Sequence, residues 1–175
     1  MSDYFPPPSS VTLASTVVSE RTTGLAAIVG VSSSVPHADH SHGSQPTPTA
    51  NVQGVQGTTV SAAYTAVLTG STAASLAVVV PASGAVLIIF SVDLLNTTAG
   101  NKAFASVACS GTDTVAASDA WAKISNSGAA NDDRGTSVHL FTGLTPGATD
   151  TFTLQFKAAV GTTQVNSQEL IAIPL

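Results

Sequence analysis

A chain of 175 residues holds one domain of ordinary size plus an extension. Charged residues make up only 9% of it, against about 25% in typical soluble domains, and Ser, Thr, Ala, Val and Gly take their place, as in a β-rich surface protein. The net charge of −5 and the scattering of Arg21, Lys102, Lys123, Arg134 and Lys157 leave no basic stripe to displace counterions, which argues against nucleic acid as a partner.

Residues 1–59 differ from the rest. The opening MSDYFPPPSS has no basic stretch ahead of an apolar one and meets prolines at once, so it does not read as a secretory signal. Pro6, Pro7, Pro8, Pro36, Pro46 and Pro48, many hydroxyl side chains and the lack of a sustained apolar period predict an extended, mostly irregular arm, with residues 54–58 as its hinge. Within it Tyr4, Phe5, Val17, Val18, Leu25 and Ile28 are apolar side chains suited to lying on a partner. His37, Asp39, His40 and His42 form the only dense group of metal-capable residues. One His-x-His supplies two imidazoles, too few for a closed site from one chain. The same residues also read as a polar turn capped by Asp39.

From residue 60 the strand signals follow one another at sandwich spacing. Val60, Ala62, Tyr64, Ala66 and Leu68 alternate, then Leu76, Val78 and Val80. Residues 76–95 are long enough to cross a bilayer, but Pro81, Ser83 and Gly84 break the run and Asp93 sits near its end, so two strands joined by a turn at 81–84 are predicted, with no membrane insertion. Residues 85–96 are apolar on both faces over their first half. Val86, Ile88, Phe90, Val92 and Leu94 lie on one side; Ala85, Leu87 and Ile89 lie on the other. An antiparallel strand normally keeps one wet face, so this one needs a cover, and a subunit interface is the simplest. Residues 102–109 and 117–124 read as further strands. The first ends at Cys109, the only cysteine, expected as a buried thiol; the second holds Trp121, the only tryptophan.

The loop 125–135 is polar. Its Asp132-Asp133-Arg134 run does not make an acid–base couple, because adjacent side chains point apart. Residues 138–141 follow as a strand, with His139 expected to face outward. Residues 143–147, Gly-Leu-Thr-Pro-Gly, predict a type II turn with Pro146 at its second position and Gly147 supplying positive φ at its third. Residues 151–160 alternate without a fault: Phe152, Leu154, Phe156, Ala158 and Val160 against Thr151, Thr153, Gln155 and Lys157. The chain then reverses at 161–163 into a strand ending Leu170 to Leu175, whose apolar end must be covered. Ile171, Ile173 and Leu175 join Leu87 and Ile89 as candidate interface residues. The fold class is all-β, an antiparallel jelly-roll sandwich of about eight strands over residues 60–175. No nucleophile elbow, phosphate loop or zinc-protease helix is present, so no enzyme and no cofactor are expected.

The order VVVPASGAVLIIFSVDLLN, TVAASDAWA, TGLTPGATDTFTLQFKA and ELIAIPL resembles the small jelly-roll modules of tailed-bacteriophage virion proteins, over roughly residues 60–175. In the arm, GVSSSVPHADHSHG is similar to a Gly/Ser-rich element of phage fibres, matched here by Ala38, Asp39, His40, His42 and Gly43, although Pro36-His37 departs from its pattern. The resemblance implies a structural virion protein: a homotrimer on the capsid surface, of the minor-capsid or head-fibre decoration type, anchored on the major capsid protein or other virion subunits by its arm. It also implies that His40 and His42 of three chains could meet on a three-fold axis around a transition-metal ion, whereas arms splayed over a shell would hold none. The alternative is a tail-fibre tip or adsorption protein that binds a host-surface glycan.

Overall fold

The computed structural model describes residues 47–126 and 133–175. In chain order its strands are β1 (Thr49–Gln53), β2 (Gly57–Thr59), β3 (Ser75–Val79), β4 (Val86–Asn96), β5 (Ala103–Gly111), β6 (Lys123–Ser125), β7 (Asp133–Phe141), β8 (Thr149–Ala158) and β9 (Thr163–Pro174). All strand pairs are antiparallel. One sheet runs β1-β9-β4-β7, with β2 continuing along β9, and the other runs β3-β8-β5-β6. Because β1 and β2 share β9 as partner, they act as one interrupted strand, and eight strand positions remain.

The pairing has a simple logic. β5 pairs with β6, β4 with β7, β3 with β8 and β1 with β9, so the chain is a nested hairpin. Rolling that hairpin adds the pairs β4·β9 and β5·β8 and divides it into two facing sheets. This is the jelly roll that the strand count predicts. Period-2 alternation decides which side chains fill it. Val86, Ile88, Phe90, Val92 and Leu94 of β4 are fully buried against Phe152, Leu154 and Phe156 of β8. Each such large side chain contributes roughly 1.5–3 kcal/mol of transfer free energy. The predicted turn before β8 forms as expected: Ala148 N–H donates to the Thr145 carbonyl at 3.1 Å and Gly147 has φ 80°.

Five expectations need correction. The sheet begins at Thr49, so the folded unit takes in residues 49–59 that the sequence assigns to the arm; β1 and β2 hold strand form through β9, a partner far away in sequence. Residues 60–68 are not a strand. Their hydroxyls capture their own backbone: Ser61 Oγ bonds the Ala63 carbonyl and accepts the Ala63 N–H, and Thr65 Oγ1 accepts the Val67 N–H. Only single contacts to β8 survive, at Thr65 and Ser61, while Thr69 crosses to pair with Thr58. Residues 117–124 divide because Ser118 caps a 3₁₀ turn, Asp119–Trp121, by accepting the Ala120 N–H, leaving β6 only three residues. Val160 lies past the end of β8 and is 61% exposed.

The fifth concerns His139. It pairs in register with buried Ile88 and so faces inward, half-buried. Its ring stacks on Trp121 with centroids 4.0 Å apart and meets the Phe141 edge at 4.6 Å, closing the side of the sandwich between β6 and β7. Desolvation holds its pKa below the ordinary 6.5. The unfolded chain therefore takes up the proton first, and the stability present above pH 6.5 is lost as pH falls toward the folded-state value. Thermal unfolding followed by Trp121 fluorescence is expected to show Tm falling below pH 6.5, and His139→Phe to flatten that part of the profile.

The crossing segment is held by one buried amide. Gln168 Oε1 accepts the Ala74 N–H at 2.9 Å and Nε2 donates to the Thr72 carbonyl at 3.1 Å. Gln168→Leu leaves the Ala74 N–H unpartnered and the Thr72 carbonyl with only the long Ser71 Oγ bond at 3.4 Å, and is expected to cost about 1–3 kcal/mol in denaturant unfolding, with the m-value unchanged.

Candidate functional site

The register of β7, β4, β9 and β1 brings most of the predicted interface residues onto the outer face of one sheet. Leu87 stands opposite both Leu140 and Ile173, giving one row across three strands. Ile89 stands opposite both Val138 and Ile171, and Ile171 opposite Ala50, giving a second row across four. Strands about 4.8 Å apart place these side chains in contact along each row. Leu175 lies one residue past β9 at the same end. Its N–H donates to the Ala85 carbonyl at 3.1 Å and its carbonyl accepts from Ser83 Oγ at 2.6 Å, so the chain end is held in place.

Among the described residues nothing covers this apolar surface. Val138 is 53% exposed, Leu140 45% and Leu175 52%, while Leu87, Ile89, Ile171 and Ile173 are half-buried by one another. Polar residues begin in the next rows, with Ser91, Thr136 and Glu169, then Asp93 opposite Arg134 and Ser167. The two apolar rows carry no ionisable group, so what they offer a partner is burial, bounded on one side by charge. Contiguous apolar patches of this kind mark interaction surfaces.

Of the residues on this outer apolar face, the sequence pattern singles out Leu87, Ile89, Ile171, Ile173 and Leu175 but not Val138 and Leu140. The signal was present: Phe141 anchors the end of β7 inside, and counting back in twos puts His139 in and its neighbours out. His40 and His42, and the anchoring residues Tyr4, Phe5, Val17, Val18, Leu25 and Ile28, lie outside the described residues. Among the described residues no group of three His, Cys, Asp or Glu side chains gathers as a metal centre.

The opposite sheet presents a different surface. Lys157 Nζ pairs with Asp119 at 2.6 Å and lies 4.7 Å and 4.6 Å from the Tyr64 and Phe104 ring centroids. Tyr64 O–H donates to Asp119 at 2.9 Å. Burial, then this carboxylate, pushes the Tyr64 pKa up, and the Lys157 hydrogen bond followed by that from Tyr64 holds Asp119 down. Every polar atom of this group that binds is used internally, so it fastens residues 60–68 to the sheet. No protein-family model matches the chain, and no curated protein compared with it is similar at a significant level.

The apolar rows generate a direct test. Ile89→Asp puts a carboxylate at the centre of the second row on a side chain the core does not need. Sedimentation is expected to show a large loss of self-association at micromolar concentration, at unchanged Tm within a few degrees. Gln155→Asp, on the outer face of the other sheet, is expected to leave association intact.

Proposed function

We propose that this protein is a structural virion protein of the capsid-decoration type, a homotrimer on the capsid surface whose jelly roll self-associates and whose N-terminal arm holds it to the shell. The observation that carries this reading is the pair of apolar rows on the β7-β4-β9-β1 face. Two apolar rows without ionisable groups are suited to permanent burial against copies of the chain, each Leu or Ile contributing roughly 1.5–3 kcal/mol. Further support comes from the sequence resemblance to phage jelly-roll modules and from the near absence of charge on a rigid, hydroxyl-rich sandwich. The role is mechanical: added interface on a shell under internal pressure.

The arm and the sandwich divide the labour. The described residues pack a closed core among themselves, so a chain lacking residues 1–46 is expected to fold and to trimerise but to lose binding to particles stripped of this protein. Co-sedimentation with such particles measures this. Equal binding by the shortened chain overturns the anchoring role, and binding to host cells in place of particles turns the reading toward a fibre tip that recognises a surface glycan.

A further inference from the structure

At the end of the sandwich where β5 finishes and β8 begins, the side-chain carboxyl groups of two aspartates meet. Asp150, the second residue of β8, is completely buried. Its Oδ1 accepts the Asp113 N–H at 3.0 Å, while its Oδ2 is buried with no hydrogen-bond partner. The half-exposed Asp113 side chain is within hydrogen-bond contact of the Asp150 carboxyl group. Its own oxygens accept the Thr145 N–H at 2.6 Å and the Thr145 hydroxyl at 3.1 Å. Gly111 stands opposite Asp150 in the ladder, and a Cβ there would come within 2.8 Å of Asp150 Oδ1, so backbone closes that side.

The ion pairs of Lys123 with Asp133 and of Lys157 with Asp119 lie elsewhere, and neither reaches this pair. A buried carboxylate beside a second one repels it unless a positive charge sits with them. The available donors are oxygens, which selects a hard cation over a transition metal.

We infer that Asp150 and Asp113, together with the Thr145 hydroxyl, form a weak calcium site that ties the connection after β5 to the turn before β8. Water on the half-exposed Asp113 side completes the coordination. Calcium suits the site better than magnesium because it accepts irregular oxygen geometry and dehydrates more readily. Two carboxylates and one hydroxyl place it at the weak end of protein calcium sites, with a Kd of roughly 10⁻⁴–10⁻³ M. The inference is independent of the assembly proposed above.

The test is calcium binding and thermal unfolding of the full chain. Equilibrium dialysis with radioactive calcium is expected to find one ion per chain. Calcium at ten times the Kd is expected to raise Tm over EDTA by about 3–6 °C, with magnesium at matched ionic strength giving little. Asp150→Asn and Asp113→Asn are each expected to abolish the bound ion and the Tm response. No bound calcium in the unmutated chain overturns the site, whether or not the variants fold. A calcium response that survives both substitutions places the ion elsewhere and also overturns it. So does a chain that ignores calcium while Asp150→Asn raises its Tm, since the pair then shares a proton.

Discussion

Everything in this structure depends on β4 being paired along both edges while it buries one face completely. Its ladders to β7 and β9 satisfy its backbone on both sides, and Val86, Ile88, Phe90, Val92 and Leu94 fill the space between the sheets. Those two pairings turn a nested hairpin into a closed roll, since β7 and β9 belong to different layers of the nest. With β4 fixed, Leu87 and Ile89 have no choice but to face out, and the apolar rows follow from the period of the strand. The candidate interface is therefore a by-product of the same alternation that builds the core. It depends on nothing more than apolar residues occurring at both parities.

The legible parts of the sequence were those whose pattern answers to water. Residues 151–158 alternate because one face of β8 is buried and the other carries Thr151, Thr153, Gln155 and Lys157. The Leu-Thr-Pro-Gly turn was legible because its conformation is written in two residue types. The run 85–96 was legible as doubly apolar, which made the need for a cover visible before any fold was known. What failed was decided by chemistry that periodicity does not register. Val60 to Leu68 alternate as well as any strand here, but Ser61 and Thr65 give the backbone local partners that compete with a ladder. Ser118 and Asp119 are a cap and first-turn residue inside an apolar stretch. Thr49–Gln53 has no apolar period at all and becomes a strand because β9 offers it an edge.

The two faces of the sandwich show how similar compositions can be used differently. On the β3-β8-β5-β6 side, Tyr64, Lys157, Asp119 and Ser118 fold connecting segments back over the sheet, and Phe104, Ser106 and Ala108 are buried beneath them. On the β1-β9-β4-β7 side no described segment does this for Leu87, Ile89, Ile171 and Ile173. Among the described residues the connecting segments lie over one sheet and leave the apolar rows of the other exposed.

The pairing of β1 with β9 has a consequence for how the molecule is oriented. Thr49 lies opposite Ala172, so the point where the arm enters the sheet and the carboxyl end at Leu175 share one end of the sandwich. The links at residues 97–102 and 159–162 lie at the other end, where Asn96 meets Thr163, some 35–40 Å away along β9. If the arm faces a shell, a peptide appended after Leu175 is trapped beside that shell. One inserted at 97–102 or 159–162 projects into solvent. A display scaffold made from this protein would therefore carry its cargo in a loop and not at its tail.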